Sequence, residues 1–549
     1  MNTKKWTAAL LMAAMTGSAW AQANQPAKTG HKEFDEFREG IYEEFNQFRK
    51  EIIMEFCEFV GDPNRWKTMM ADPAQPMPEE KSIQPQLAPG ADEQTASWFS
   101  KLFGDKGDNN DKDKKKKKKD KEKQKRDSRK DPVKFEVKEV LKPAPRAPQA
   151  KPQVEAKQFN SFANDYMEFT VFGTVCKVRI GNDCKFQLAN LEPRTLANAI
   201  ERYTEAQFEN LLYDCLQERK NHNFSDWAYF QMLKVLTDKF YGPNSNVGML
   251  TRAFLYSQSG YKMRLAHDGK SLYMLACTRH FIYNKPFYTL DGEWYFLLDG
   301  KEAESLRICD AKFAKESSLS LQISAEQYLT LNPTMKRTLR SKKNPDFVVT
   351  ISSNKNYIDF FDTYPSSTLD NNYMTRWAMY AETPLEKGIR DQLYSQMRPL
   401  LQGLSQLDAV QQLLWWTQGS IDMEGTIKDA DCLMYRYDED VWGTDRAFFA
   451  EETLFYPYND CEDRSILLSH LVRDLVGLDV VLVHYPGHLA MAVNFTENVG
   501  GDYIELNGQK FVVCDPTYIG ARVGETMPMV QGLNTTVILL KRDADQAKI

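Results

Sequence analysis

The sequence predicts an α+β protein in which one unit, a core helix packed on an antiparallel sheet, occurs twice in tandem behind a separate helix and a low-complexity tether. Three observations carry this expectation. Helical periodicity gives way to short apolar strand-like runs between residues 461 and 515. Residues 244–276 align without gaps on residues 461–493. Asp291-Gly292 and Asn507-Gly508, each between apolar runs, stand at matching places in the two halves, and such dipeptides are the strongest short hairpin signal.

Taken in order, residues 1–21 carry Lys4 and Lys5, an apolar run over 6–15 and Ala19-Trp20-Ala21, the pattern of a secretory signal peptide. The mature chain is expected to begin near Gln22, in the periplasm or secreted. No cysteine follows the run to carry a lipid, and no later run is long enough for a transmembrane segment. The 549 residues leave room for two or three domains.

Residues 32–60 hold an eleven-residue repeat in which Phe34, Phe45 and Phe56 correspond, as do Phe37, Phe48 and Phe59. That period, about 3.67 residues per turn, gives a nearly straight helix or a right-handed coil. Its aromatic stripe needs a partner: the protein's own body, a second copy through self-association, or another protein. Residues 72–154 turn to Pro, Lys, Asp and Gln, with an unbroken lysine run over 114–119. A stretch so poor in apolar residues reads as a disordered linker. Interleaved acidic residues and the lack of aromatics for base stacking argue against nucleic acid.

Residues 159–310 make the first copy, 311–380 a β-rich connector and 381–540 the second copy. In the connector, residues 319–323 and 347–351 read as strands. Nine cysteines in an exported chain permit disulfides, and an odd count leaves at least one thiol unpaired. Cys176 and Cys184 flank a turn-like tetrapeptide and are a pair to consider; Cys514 reads as a core residue.

The chemistry gathers in three phrases of the second copy: Asp460-Cys461-Glu462-Asp463-Arg464-Ser465, Tyr485-Pro486-Gly487-His488-Leu489-Ala490 and Val513-Cys514-Asp515-Pro516-Thr517-Tyr518. Asp460 is a good N-cap for an apolar helix ending at Gly477, so Cys461 opens a buried helix. The positive helix end is expected to lower the thiol pKa. Residues 480–484 and 488–494 read as a hairpin that His488 reopens, and a second hairpin is closed by Asp515. These groups read as nucleophile, base and the carboxylate that orients the base.

A helix opened by Cys, followed by strands carrying His and then Asp, resembles the transglutaminase-like superfamily of papain-like thiol enzymes, in the manner of exported bacterial transglutaminase-like cysteine peptidases. The matching motifs are Asp-Cys-Glu-Asp-Arg-Ser, Gly-His-Leu-Ala and Asp-Pro-Thr. The resemblance implies acyl transfer through a thioester on a protein or peptide substrate, with Cys461, His488 and Asp515 as the catalytic set and no cofactor. A peptidase or amidase is the leading expectation. A non-catalytic peptide- or cell-wall-binding scaffold and an amine-transferring transglutaminase are the alternatives.

In the first copy Asn244 falls on Cys461 and Ser271 on His488, while Asp299 keeps the place of Asp515. Neither an amide nor a serine can replace thiol and imidazole, so this copy is expected to be inert. His484 has a counterpart in His267 and reads as structural; His488 has none. The second copy inserts residues 426–458, rich in Tyr, Trp and Asp, as a candidate substrate wall. Asp438, Asp440 and Asp445 lack the spacing of a calcium loop, so no metal is expected, and Trp442 is as well explained by packing as by the acyl site.

Overall fold

The computed structural model describes residues 47, 50–89, 131–142, 150, 152, 166–299, 303–313, 315–369, 372–421 and 431–540. The expected signal peptide, most of the eleven-residue repeat and the lysine run lie outside these residues. Within them the chain is mixed α+β. Two six-stranded sheets dominate.

In chain order the sheet strands are β1 (Trp66–Met70), β2 (Val137–Leu141), β3 (Met263–His267), β4 (Leu272–Cys277), β5 (Phe287–Leu290), β6 (Glu293–Phe296) and β7 (Ser305–Cys309), then β8 (Asp479–Tyr485), β9 (His488–Asn494), β10 (Tyr503–Leu506), β11 (Gln509–Cys514) and β12 (Thr535–Leu539). The first sheet runs β1-β7-β3-β4-β6-β5 and the second β10-β11-β9-β8-β12-β2. Read from opposite ends, these orders match strand for strand. The registers match too. Ala266 faces Tyr273 as Val483 faces Ala490, Ala276 faces Phe296 as Val493 faces Val512, and Leu290 faces Glu293 as Leu506 faces Gln509. The sheets part company only at the outermost strand: β1 lies antiparallel to β7, whereas β2 lies parallel to β12.

Both hairpin turns place two successive residues at positive φ, Asp291 and Gly292 at 54° and 77°, Asn507 and Gly508 at 51° and 78°. That is the geometry whose twist matches paired strands, and it explains the Asx-Gly sequences. Each sheet carries a helix pair. α1 (Asp226–Tyr241) and α2 (Asn246–Gln258) serve the first, α3 (Gln406–Gln418) and α4 (Cys461–Leu471) the second. Every residue of α4 is buried. One apolar core runs from Ile53 to Ile538, through both units.

Several parts depart from the sequence reading. The 72–154 segment is not wholly an unpacked linker. Within it β2 adds to the second sheet, Phe135 is buried, and residues 72–89 lie along the protein. Strand addition is carried by main-chain hydrogen bonds, which composition does not register. Residues 319–323 make a single bridge, Leu319 to Thr278, in place of a strand. The hairpin near Cys176 turns at Phe172-Gly173, joining strands Tyr166–Val171 and Thr174–Arg179. All nine cysteines are buried and unbridged, Cys176 and Cys184 included. At the described end of the repeat helix, Phe56 stacks on Phe313 at 3.9 Å, so this part of the stripe meets the protein's own body.

Candidate active site

The start of α4 faces the start of β9. Asp460 occupies the N-cap position of the helix, and the Asp463 carboxylate accepts from the Asp460 N–H at 3.2 Å. This N3-to-cap bond ties the backbone on either side of Cys461. The Ser465 hydroxyl donates to the Leu489 carbonyl at 3.0 Å, fixing the helix against β9 one residue beyond His488. Arg464, fully buried, donates to Asn459 Oδ1 at 2.7 Å, to the Gln418 carbonyl and to the Ser420 carbonyl at 3.0 Å. It thereby bolts α4 to the end of α3. The motif made Arg464 visible in the sequence, but not this role.

Cys461, His488, Gly487, Leu489 and His484 line one cleft, together with Tyr373, Arg376, Trp377, Glu439, Asp445, Glu80 and Ser82. About 30 Å³ of it is open. His488 Nε2 and Asp515 Oδ2 lie 2.9 Å apart, and both residues are buried. The other carboxylate oxygen accepts from the Thr517 N–H at 2.9 Å, the Thr517 hydroxyl at 2.8 Å and the Tyr518 N–H at 3.2 Å. Burial works to raise the Asp515 carboxyl, yet the His488 ring and the Thr517 donors hold it below the ordinary carboxylate range. The second copy thus brings all three sequence-derived residues to one end of its sheet.

The thiol itself departs from expectation. Cys461 is 7% exposed, and its pKa lies well above the ordinary thiol value. Burial is the largest cause, followed by the Glu462 and Asp460 carboxylates; the Leu489 N–H opposes them. The thiol donates to Glu462 Oε2 at 3.1 Å. Local negative charge and dehydration therefore act against the positive helix end that Cys461 opens. Glu462, despite burial, is held low by Arg376.

His484 sits beside this set without joining it. Its Nε2 is 2.8 Å from Glu80 Oε2, and its ring stacks on Trp377 at 5.3 Å. Trp442, considered for the acyl site, packs on Phe448 and Tyr456. Trp377, which sequence reasoning passed over, lines the cleft with its buried indole N–H unpartnered. The insertion does form a wall, through Glu439 and Asp445. Asp438, Asp460 and Asp463 bring carboxylate oxygens within 4.8 Å of one another, as Cys176, Glu218 and His222 bring S, O and N atoms. Asp460, Cys461 and Glu462 form a third such group, and among the described residues these three are the groups that could hold a metal. The three aspartates all have pKa values raised well above normal, by burial first and by neighbouring charge second.

In the first copy the same positions are otherwise used. Asn244 takes φ 61° just before the cap of α2, the Ser271 N–H donates to Asp268 at 2.7 Å, and Asp299 pairs with buried Arg252. No family model, curated protein or solved structure matches this chain.

Proposed function

We propose that the protein is an exported thiol hydrolase of transglutaminase-like type, a peptidase or amidase working through Cys461, His488 and Asp515. The observation that carries this reading is the buried 2.9 Å contact of His488 Nε2 with Asp515 at a cleft shared with Cys461. With Nε2–H donating to the carboxylate, Nδ1 is left to take the Cys461 proton. Sulfur then attacks the acyl carbon, and the imidazolium returns its proton to the departing amine. A water, deprotonated by the same nitrogen, hydrolyses the thioester. Asp515 fixes the tautomer and offsets the imidazolium charge. An amine taking the water's place would give transamidation.

A second reading draws on the raised pKa of the covered thiol: a binding or scaffolding protein with a vestigial triad. Incubating the purified chain with a peptide library and searching for a thioester on the Cys461 peptide by mass spectrometry separates them. Acylation that disappears in His488→Ala supports the hydrolase; its absence from every peptide supports the scaffold.

A further inference from the structure

Residues 72–88 are fastened at both ends and cross the cleft between. Upstream, Asp72 pairs with Phe287 and accepts from the Thr289 hydroxyl, and the Gln75 carbonyl accepts from Asn284 N–H at 2.8 Å. Downstream, the Ala88 N–H donates to the Ile519 carbonyl at 2.9 Å and the Gln86 carbonyl accepts from Ile519 N–H at 3.1 Å. In the middle, Glu80 Oε2 meets His484 Nε2 at 2.8 Å and the Gly487 N–H at 2.9 Å, while the Ile83 N–H donates to the Gly487 carbonyl at 2.8 Å. Glu80 and Ser82 form part of the wall around Cys461 and His488.

The receiving surface suits a polypeptide backbone. Ile519 exchanges both main-chain groups with Gln86 and Ala88, as sheet edges do with an extended chain, while Gly487 gives its carbonyl to the Ile83 N–H and its N–H to the Glu80 carboxylate. Gly487 adopts φ 75°, and a Cβ there would come within 2.1 Å of the Lys81 carbonyl oxygen. The turn next to His488 is therefore bare where a chain passes. The segment is weakly rooted over the cleft: of residues 78–88 only Pro85 and Ala88 are buried.

We propose that residues 80–83 occupy the acyl-donor groove of the Cys461 site as an internal stand-in for an extended, acidic polypeptide substrate, and that the site opens only when this strap is displaced. The proposal rests on the hydrolase reading for the identity of the groove. It accounts for the small open volume and for a nucleophile held dehydrated and neutral. It also names the ligand: an extended chain bearing a carboxylate that reaches His484 and the Gly487 N–H.

The test uses the full-length chain carrying Glu80→Ala with Ile83→Pro, which removes the carboxylate acceptor and one N–H donor and leaves both anchors intact. The readout is the rate of iodoacetamide alkylation of Cys461, followed on its own peptide by mass spectrometry. Loss of these hydrogen bonds should raise the rate about tenfold or more at unchanged Tm. Should the double variant unfold, Glu80→Ala alone reads the same quantity, with a rise of a few-fold expected. A synthetic peptide of residues 78–88 should restore protection in the variant, and the same peptide with Glu80→Lys should not. An unchanged alkylation rate, or equal protection by both peptides, overturns the proposal. Since alkylation needs no turnover, a fast-labelling variant that never forms a thioester would refute the hydrolase and leave the strap standing. A wild-type chain that forms the thioester while the variant labels no faster would do the reverse.

Discussion

Asp515 illustrates how this site weighs opposing residue-scale effects: burial disfavours its charge, and a ring and three donors restore it. Cys461 has the opposite balance, with burial and two carboxylates on the same side. If the triad acts as proposed, Cys461→Ala and His488→Ala each reduce thioester-dependent hydrolysis to background, without additivity, because both act in one step. Asp515→Asn costs less, about a hundredfold in kcat. Steady-state assays on an activated ester are sufficient to check both. Glu462→Gln removes the nearest carboxylate and leaves Arg376, 3.9 Å from it, without that charge. The thiol pKa should fall, moving the alkylation pH profile to lower pH; an unmoved profile would assign the shift to burial and Asp460.

Glu451, in the helix Ala450–Phe455, is pushed up to about 7 by burial, against the Glu386 N–H, which donates to its carboxylate. A carboxyl whose folded pKa is raised contributes stability that is full below its unfolded value and lost as pH rises through the folded one. Stability should thus fall between about pH 4.5 and 7, by on the order of 3 kcal/mol from this group. Urea unfolding of Glu451→Gln at pH 5 and pH 7.5 should give a flatter difference than the parent.

At the scale of elements, the hairpins and α4 were legible because their signals are local. A cap, an Asx-Gly turn and alternating apolar residues act within a few positions. The residues that join elements were not. Gly419 ends α3 at φ 48° and passes so close to the neighbouring strand that a Cβ would lie 2.0 Å from the Leu433 carbonyl oxygen. Nothing local distinguishes it from any other helix-terminating glycine. Gly419→Ala should cost several kcal/mol, through strain and lost docking of α3 against the site, visible as a large drop in Tm. Residues 319–323 mark the converse failure. Their alternation reads as a strand, but a side-chain pattern does not specify a pairing partner, and they find only one bridge.

Over the whole molecule, the two units share strand order and register yet are not autonomous. Each takes its outermost strand from the region before residue 142, and strand Ser367–Leu369 pairs back with His280–Ile282 in the first unit. The core is continuous across them. A fragment of residues 381–540 would lack β2 and expose the β12 edge together with apolar surface. It should aggregate, as read by size-exclusion chromatography; a soluble monomeric fragment would mean the second unit folds alone.

The sequence by itself determined the helix that Cys461 opens, the hairpins carrying His488 and Asp515, and the correspondence of the two halves, since periodicity, capping and turn chemistry are written in near neighbours. Only the tertiary structure decided that Asp515 meets His488, that carboxylates and burial raise the Cys461 pKa, and that residues 80–88 cross the cleft. Those outcomes depend on the fold closing a dehydrated space in which near neighbours, a pair 27 positions apart and a strap some 404 positions away all meet. There, distance and local charge set the energies, and a chain of mostly exposed polar residues can be held by its backbone alone.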